Sequence, residues 1–584
     1  MKLNKFTSED IKEKRPQENS LWIIPLGGFG EIGKNMLALR YKDEILVIDA
    51  GLMFPSNELY GIDYVLADMT YLIENQHMVK ALIITHAHED HIGCVPYFLR
   101  KINVPVFGTM LTIEIIKEKL REFRFSSESV SLNVIKPCEK FDIGFFRLEF
   151  LRMVHSIPDG IGLAVETPLG IIIHSGDFKF DPVPIDGKPA DLLKFAEYGQ
   201  KGVLALLSDS TYSERPGHSD SESSIGDNLK RIISNAKGRV IITTFATALH
   251  RIQQVIDITE FLNKKLCIFG RSMKALVKIA ERLGYIRMPD SIKTSEQHIN
   301  TVKDNNLVIL TTGSQGEPMS VLSQLATNSH KWVKLKKQDT VVISSTPIPG
   351  NESLITRIVN HLFKAGAEVI YSLPYKTSQE NKIHSSGHAS QEELKLLLKI
   401  ICPRYFIPMH GEYRHLVTHA KLAKDMGLDE KHSFILEDGM ILEINEHKAQ
   451  IIGYMELSDV LIDGLGIGDV GKVVMKDRHL LSRDGVCIIT AALEKKTGRL
   501  LCGPEIITRG FVYFNLSKEM LETAKEKAKE IIYKNEKKGY FGMNILKAEL
   551  KDEIADYFIK EIRRRPMILP VILEIENFQT DGKI

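Results

Sequence analysis

Short apolar runs separated by glycine, asparagine and charged residues make up the first third of the chain. Runs such as Leu21–Leu26, Ile45–Ile48 and Ala81–Ile84 are too short for helices, so they predict buried β-strands. From about residue 203 to 365, continuous apolar strands alternate with segments of helical periodicity, which predicts a parallel α/β sheet with both faces covered. We expect its strands at 203–207, 240–244, 266–269, 307–310 and 340–344, and its helices at 223–235, 249–263, 273–283 and 353–365.

The same kind of pattern begins again after about residue 455. Short strands are expected first, then helices at 517–538 and 545–564, and a last strand at 567–575. This predicts a separate α/β module, and the whole chain is of the α/β class.

Residues that bind metals follow several predicted strands. The strand at 81–84 runs into Thr-His-Ala-His-Glu-Asp-His at 85–91, the strand at 150–154 ends at His155, and the strand at 170–173 runs into His-Ser-Gly-Asp177. Imidazole nitrogens and carboxylate oxygens are ligands that zinc and manganese prefer. We therefore predict a site for two ions, with His86 and His88 facing one ion and Asp90 and His91 facing the other. Asp177 would bridge them.

The alternative for residues 85–91 is a solvated turn that happens to be rich in histidine. Only 19 of the 584 residues are histidine, and three of them lie here beside an aspartate, so the metal site is favoured. Asp49, at the end of the strand at 45–48, either orients one of these imidazoles or is a plain turn residue. His388 and His410 also lie at predicted element boundaries.

Residues 28–33 match the GxGxxG pattern of dinucleotide-binding proteins. That pattern needs a helix to begin at the glycines, with its N-terminus on the pyrophosphate. Here two short β-like runs follow instead, at 36–40 and 44–48. We expect the glycines to let the backbone approach the metal cleft.

Composition narrows the functional class further. The formal net charge is +1, so any positive surface for a nucleic acid must be local. The six cysteines are scattered without a CxxC pair, as is typical of a reducing compartment. The polar first twenty residues do not resemble a signal peptide, and no apolar run approaches the roughly 18 residues that span a bilayer. We expect a soluble, cytoplasmic protein that does not bind membranes.

The His-x-His-x-Asp-His motif followed by His155 and Asp177 resembles the metallo-β-lactamase fold. The long insertion before His410, with Asp209 after a strand and Ser-Gly-His-Ala-Ser at 386–390, resembles the β-CASP subgroup, which acts on nucleic acids. The segments IPLGGFGEIGKN, VIDAGLMFP, ITHAHEDHIG, TGSQGEPMS and DGLGIGDVG together resemble the bacterial ribonuclease J family, from about residue 20 onward.

This resemblance implies an αββα sandwich with an inserted α/β β-CASP domain and a C-terminal α/β domain. The expected divisions are a flexible arm at 1–20, the metallo-β-lactamase domain at 21–205 and 369–452, the β-CASP domain at 206–368, a linker at 453–465 and the C-terminal domain at 466–584.

The resemblance also implies the role of each site residue. His86, His88 and His155 would bind one ion, Asp90, His91 and His410 the other, and Asp177 both. Asp49 would orient the ligands from behind, and catalytic roles fall to His388, Asp90 and Asp209. Ser386, Gly387 and His388 would hold the scissile phosphate.

Two further positions carry expectations about phosphate binding. The family commonly has Phe-Ala-Ser-Asn-x-His-Arg where this chain has Phe-Ala-Thr-Ala-Leu-His-Arg at 245–251, in the pocket for an RNA 5′-monophosphate. Thr247 keeps the hydroxyl, whereas Ala248 lacks the amide. The glycine- and serine-rich turn around Ser314 either binds phosphate or is an ordinary loop between strand and helix.

The predicted function is a metal-dependent ribonuclease with 5′→3′ exonuclease and endonuclease activity, acting in mRNA decay and in the maturation of rRNA and other RNAs. Its cofactors would be two zinc ions, with manganese as the alternative, and its substrate single-stranded RNA. The family implies a homodimer or homotetramer, with an RNA helicase or the ribosome as candidate partners. The competing functions are a β-CASP nuclease for other nucleic acids, a small-molecule ester or lactone hydrolase on the same fold, and an RNA-binding scaffold with a degenerate site.

Overall fold

The computed structural model describes residues 4–6, 16, 19–56, 58–125, 129–315, 320–347, 351–372, 382–464, 466–468, 470–512, 518–538 and 542–576. The chain divides into two compact units. The first comprises Met1–Phe54 and Tyr64–Val460, and the second comprises Pro55–Asp63 and Leu461–Ile584.

Two mixed sheets form the centre of the first unit. The strands of the larger sheet are, in spatial order, Lys5–Phe6, Ala449–Met455, Met440–Asn445, Ser20–Gly27, Met36–Tyr41, Glu44–Ile48, Val79–Ile83, Val106–Gly108 and Leu132–Val134. Those of the smaller sheet are Lys140–Ile143, Phe146–Arg152, Ile161–Thr167, Gly170–His174, Val203–Asp209 and Tyr405–Met409. Their facing apolar side chains, among them Ile23, Leu46, Phe150 and Leu207, form one buried core.

Helices cover the outer faces of this sandwich. Leu192–Lys201, Gln391–Ile401 and Tyr413–Asp425 contribute to a second core on the smaller sheet. Val95–Lys101 and Met110–Glu122 lie by the larger sheet, and Thr70–Glu74 and Glu89–Ile92 are short helices in the loops of this part. The two facing sheets with helices on their outer sides form the αββα arrangement that the resemblance implies. In addition, Phe29–Gly30 pairs with Gly411–Glu412, and Leu52–Met53 pairs with Tyr64–Leu66.

The insertion folds around its own parallel sheet. Its strands lie in the order Lys265–Ile268, Leu307–Thr311, Val240–Thr243, Thr340–Ile343 and Glu368–Tyr371. The helices of this region are Ser223–Asn235, Leu249–Phe261, Arg271–Leu283, Val321–Ala326 and Glu352–Lys364. All of its strand pairs are parallel, as the strand and helix alternation predicts.

In the second unit, one sheet carries two long helices. Val486–Glu494 lies between Leu500–Arg509 and Met567–Ile575, and the helices Lys518–Lys537 and Met543–Ile562 pack on it. Alternate residues of Val486–Glu494 are buried, as expected for a strand with one covered face.

Most predicted elements are present, but several differ. The strand predicted at 203–207 does not join the sheet of the insertion: Val203–Asp209 lies in the smaller sheet of the sandwich, between Gly170–His174 and Tyr405–Met409, and the inserted sheet has Glu368–Tyr371 as its fifth strand instead. An apolar run indicates a strand but does not specify which sheet that strand joins. The helix Lys472–Asp484 was not predicted, because it has little apolar periodicity and none of its described residues is buried. Lys5 and Phe6, assigned to a flexible arm, pair with Tyr454 and Met455 as an edge strand, and most of the arm lies outside the described residues. Residues 453–455, assigned to the linker, lie in the same strand as Ala449. The other domain limits stay a prediction.

Two negative expectations can be compared with the described structure. A strand, Met36–Tyr41, and no helix follows the GxGxxG match, so the dinucleotide-binding alternative lacks its structural context. Among the described residues, no helix has the length and hydrophobicity that crossing a bilayer requires.

Candidate metal centre

The predicted ligands meet because they follow neighbouring strands. Gly170–His174, Val203–Asp209 and Tyr405–Met409 are parallel neighbours. Asp177, Asp209 and His410 therefore lie at one edge of the smaller sheet. His410 and Asp49 both have left-handed backbone, with φ of 52° and 62°. Such φ values are uncommon for residues other than glycine and concentrate at functional sites.

Three imidazoles form the first set of candidate ligands: His86, His88 and His155. The His88 Nδ1 atom lies 3.0 Å from His86 Nε2 and 3.1 Å from His155 Nε2. A tetrahedral zinc ion with Zn–N bonds of about 2.0–2.1 Å places its ligand nitrogens about 3.3 Å apart. The spacing of these three nitrogens is therefore close to that of a zinc site.

Asp90, His91, Asp177 and His410 form the second set. Asp90 Oδ2 lies 3.5 Å from His91 Nε2 and 3.4 Å from His410 Nε2. His88 precedes the short helix Glu89–Ile92, and Asp90 and His91 belong to that helix. The change from extended chain to helix explains how residues so close in sequence face two different points.

Asp177 lies between the two sets. Its Oδ2 atom is 3.0 Å from His410 Nε2 and 3.3 Å from His91 Nε2, and 3.7 and 3.9 Å from the Nε2 atoms of His86 and His155. Asp177 Oδ1 and His410 Nε2 are buried without a hydrogen-bond partner among the described residues. Buried polar atoms normally have partners, so these atoms fit a pair of ions bridged by a carboxylate.

Hydrogen bonds fix which ring nitrogens of His155 and His91 face the candidate metal site. His155 Nδ1 donates to the Gly387 carbonyl oxygen at 2.7 Å, and His91 Nδ1 donates to Asp49 Oδ2 at 2.7 Å. Asp49 also accepts hydrogen bonds from the backbone N–H and the hydroxyl of Thr85, at 2.8 and 2.9 Å. The Nε2 atoms of both histidines are thereby directed at the site, the arrangement usual for metal-binding histidines.

The electrostatics of the two sets differ. Burial lowers the pKa of His88 to about 4 and holds those of His86 and His155 well below the usual value, so all three are neutral ligands at pH 7. Burial also acts to lower the pKa of His91 and His410. In both cases nearby carboxylates, Asp177 foremost, outweigh it and raise the pKa well above the usual value. The carboxylates of Asp90 and Asp177 thus hold positive charge in the second set, as protons on these two imidazoles or as a divalent cation in their place.

His388 stands beside both sets. Its ring centroid lies 4.9 Å from that of His155 and 5.5 Å from that of His410. Its Nδ1 atom donates to Asp209 Oδ2 at 2.8 Å, and Thr211 holds the other Asp209 oxygen through its backbone N–H and its hydroxyl. Burial lowers the pKa of His388, but Asp209 outweighs it and the pKa is raised. The His388 side chain is 20% exposed, against 1% for Asp209, so it can reach a substrate.

The predicted phosphate-binding residues fall into two groups. Ser386 Oγ accepts a hydrogen bond from the backbone N–H of His388 at 2.9 Å, and Gly387 contacts His155, so this segment adjoins the metal ligands. Thr247 and Ser314 are elsewhere, in the turns after the paired strands Val240–Thr243 and Leu307–Thr311. They share the carboxyl edge of the inserted sheet, a position that suits phosphate binding.

Sequence reasoning missed three residues that support the ligands: Asn35, Thr85 and Thr211. Asn35 Nδ2 lies 3.1 Å from His91 Nε2 and donates to the Asp90 carbonyl oxygen at 3.0 Å. Thr211 Oγ1 lies within hydrogen-bond distance of the His410 carbonyl oxygen, at 3.0 Å. The available signal was adjacency, since Thr85 precedes His86, Thr211 follows Asp209 by two positions and Asn35 ends the glycine-rich motif.

Four family models match the chain. They are the metallo-beta-lactamase superfamily at residues 30–229, the ribonuclease J beta-CASP domain at 237–362, the Zn-dependent metallo-hydrolase RNA specificity domain at 376–435 and the ribonuclease J C-terminal domain at 473–575.

Whole-length comparisons agree with these matches. The chain is 39% identical to ribonuclease J2 of Bacillus subtilis over 562 residues, covering 96% of this chain and 100% of that protein. It is 40% identical to ribonuclease J of Thermus thermophilus over 569 residues, covering 96% of each. A crystal structure of an Enterococcus faecalis protein of unknown function covers 73% of this chain and 100% of its own at 15% identity, with a TM-score of 0.52, which shows a shared fold.

Proposed function

Since the chain belongs to the ribonuclease J family of metal-dependent ribonucleases, we propose that it hydrolyses phosphodiester bonds of single-stranded RNA at a centre of two zinc ions. It would act as a 5′→3′ exonuclease and as an endonuclease, in mRNA decay and RNA maturation in the cytoplasm. The observation that carries the proposal is the pair of ligand sets that share Asp177, with His388 beside them.

His86, His88 and His155 would hold one ion, Asp90, His91 and His410 the other, and Asp177 both. When bound, a pair of divalent ions supplies Lewis acidity and hydroxide at neutral pH. Three neutral imidazoles suit zinc, and the match to a Zn-dependent RNA specificity domain also favours zinc over manganese.

The protein's own groups handle the proton. His388 donates from Nδ1 to Asp209, which leaves Nε2 to carry a proton toward the departing oxygen of the RNA. Asp209 stabilises the imidazolium before that transfer, and solvent restores the proton afterwards. A positioned acid of this kind contributes roughly 10²–10⁴-fold to a rate. Ser386 and the Gly387 segment would hold the phosphate beside it.

The test is cleavage of a single-stranded RNA labelled at its 5′ end, carrying either a monophosphate or a triphosphate, with Zn²⁺ or Mn²⁺ and with H88A as the control. Release of a labelled mononucleotide, faster from the monophosphate and absent in H88A, supports the exonuclease. Equal rates on both ends would mean that the 5′ pocket is weak and internal cleavage dominates. If the metal-loaded protein does not cleave RNA, the proposed ribonuclease activity is contradicted, and a small-molecule hydrolase becomes the favoured function.

Assembly and partners belong to the same proposal. A homodimer or homotetramer is expected from the family, and light scattering of the purified chain would give its mass directly. Association with an RNA helicase or the ribosome stays a prediction.

A further inference from the structure

Among the described residues, the hydrogen bonds between the glycine-rich segment at residues 27–35 and the candidate ligands all go to the second set. The Gly28 carbonyl oxygen accepts a hydrogen bond from the backbone N–H of His410 at 2.9 Å. At the other end of the segment, the backbone N–H of Asn35 donates to the Asp90 carbonyl oxygen at 3.0 Å, and Asn35 Nδ2 lies 3.1 Å from His91 Nε2. His410, Asp90 and His91 are the three ligands that the second set does not share with the first.

Close packing lets this segment reach the ligands. Gly28 has φ of 86°, and a Cβ atom there would lie 2.2 Å from Asn35 Oδ1. A Cβ atom on Gly51 would lie 1.6 Å from the Asp90 carbonyl oxygen. Neither position accepts a side chain without displacing a group that supports the second set.

Lys34 anchors the segment. Its ammonium group lies 3.0 Å from Glu31 Oε1, 2.5 Å from Asp459 Oδ1 and 3.8 Å from Asp438 Oδ2, and its side chain is only 9% exposed. Asp438 Oδ1 in turn accepts a hydrogen bond from the backbone N–H of Phe29 at 3.1 Å. The cation therefore ties the segment to residues more than 400 positions away, within the same compact unit.

We propose that Lys34 is a positioning residue for the second ion: through Glu31, Asp438 and Asp459 it fixes the Gly28–Asn35 segment against His410, Asp90 and His91. Loss of the cation leaves buried or half-buried carboxylates without their partner, which loosens the segment. Groups that support metal ligands contribute roughly 10–100-fold to metal affinity. We therefore expect K34M to lower affinity for one ion by that factor and to leave the other unchanged.

The experiment measures metal bound per chain, by elemental analysis after dialysis of the zinc-loaded full chain against a series of chelator concentrations. K34M is compared with wild type and with K101M, which removes an exposed lysine from the end of the helix Val95–Lys101. We expect wild type and K101M to retain two ions per chain at low chelator concentrations. K34M should lose one of its two ions at a lower chelator concentration than wild type does. Equal retention by K34M and wild type, or parallel loss of both ions, overturns the proposal.

Two backgrounds identify which ion is lost. In H410A, where the second set is already broken, adding K34M should change retention no further. In H88A, where the first set is broken, adding K34M should weaken retention of the remaining ion roughly 10–100-fold. The opposite pattern would assign Lys34 to the first set and overturn the inference.

A milder variant guards against misfolding. Asp459 has a side chain 47% exposed, so D459N should fold while losing one ionic partner of Lys34, and it should show the same selective loss in smaller degree. If D459N and K34M both fold and neither loses one ion selectively, the positioning role of Lys34 is rejected. The inference rests on the proposed two-ion centre, and the wild-type protein shows which of the two proposals fails. Fewer than two ions bound to wild type would reject the two-ion centre. Two ions bound to wild type without selective loss from K34M would reject the positioning role of Lys34.

Discussion

His155 donates a hydrogen bond from Nδ1 to the carbonyl oxygen of Gly387, 2.7 Å away and 232 positions later in the chain. Because His388 is the next residue, this bond links a proposed ligand of the first ion to the residue that would protonate the leaving oxygen. One short segment thus connects the proposed metal centre with the proposed acid, and small changes at Gly387 should disturb both.

Gly387→Ala should impair metal binding and cleavage together. A Cβ atom there would lie 2.6 Å from His155 Cε1, and the segment would have to move away from the imidazole. We expect a loss of roughly 10–100-fold in affinity for the first ion. G471A, at a glycine with open space around its Cβ position, is the control for metal titration and RNA cleavage. Unchanged metal affinity in G387A would contradict the positioning of His155 by this carbonyl.

His388→Ala should separate chemistry from metal binding. His388 is outside both proposed ligand sets, although it forms with His155 and Asp177 a third group whose atoms are close enough to hold an ion. We expect the variant to keep both ions while kcat falls roughly 10²–10⁴-fold. His88→Ala, in contrast, should lose an ion as well as activity. Elemental analysis beside single-turnover cleavage of RNA distinguishes the two. Loss of metal in H388A equal to that in H88A would show that His388 acts as a ligand.

Removing the metal should destabilise the fold as well as stop cleavage. Without ions, the carboxylates and imidazoles around Asp177 remain buried at short separations with unsatisfied atoms. An ion present at about 1,000 times its dissociation constant stabilises by about 4 kcal/mol. Scanning calorimetry should therefore show a lower Tm after chelation, restored by Zn²⁺. H88A should respond less than wild type, and an identical response would argue against ions in the first set.

His419 should make the first unit sensitive to acid. It is fully buried beside Phe406 and Ser210, and burial lowers its pKa to about 3. The unfolded chain takes up the proton near pH 6.5 and the folded chain only near pH 3, so this contribution is complete above pH 6.5 and is lost as the pH falls. At pH 5 the loss is about 2 kcal/mol.

The measurement is Tm at pH 7.5 and pH 5.0. H419L should show a smaller decrease between the two pH values than wild type, whereas H447Q, at an exposed histidine, should match wild type. An equal decrease in H419L and wild type would mean that other groups dominate the acid response.

Ala248→Asn should strengthen discrimination between RNA ends. Ala248 precedes the helix Leu249–Phe261, and the resemblance assigns an asparagine amide to this position of the 5′-phosphate pocket. We expect a higher ratio of monophosphate to triphosphate cleavage in A248N, seen in competition between the two labelled RNAs. Asparagine also caps helices well, by about 1 kcal/mol, so a Tm measurement accompanies the assay. If A248N is more stable but its ratio of monophosphate to triphosphate cleavage is unchanged, the substitution affects only the stability of the helix.

Several features of this protein could be predicted from the sequence because they depend on local order. Apolar runs of four to six residues indicate strands, and a histidine or aspartate directly after such a run must lie at a strand end. That logic predicted the elements carrying His86, His155, Asp177 and His410, and it predicted a strand rather than a nucleotide-binding helix after the glycines. The order of residues 85–91 also predicted that His86 and His88 face one ion and that Asp90 and His91 face the other, and the family resemblance added His155 and His410 to these two sets.

Other features could not be predicted, because they depend on contacts between groups that are distant in sequence. The His155 to Gly387 bond fixes a tautomer across 232 positions, and Lys34 reaches Asp459 across 425. No local sequence pattern specifies such pairs, since neither partner differs in sequence from an ordinary polar residue or glycine. The helix Lys472–Asp484 escaped prediction because hydrophobic periodicity records burial, and none of its described residues is buried. From the order of residues alone we could predict which residues are candidate metal ligands and where the strands that carry them end. Which atoms of these residues face the candidate metal site, and which groups hold them there, follows only from the folded chain, because it depends on contacts such as those of Gly387 with His155 and of Asp49 with His91.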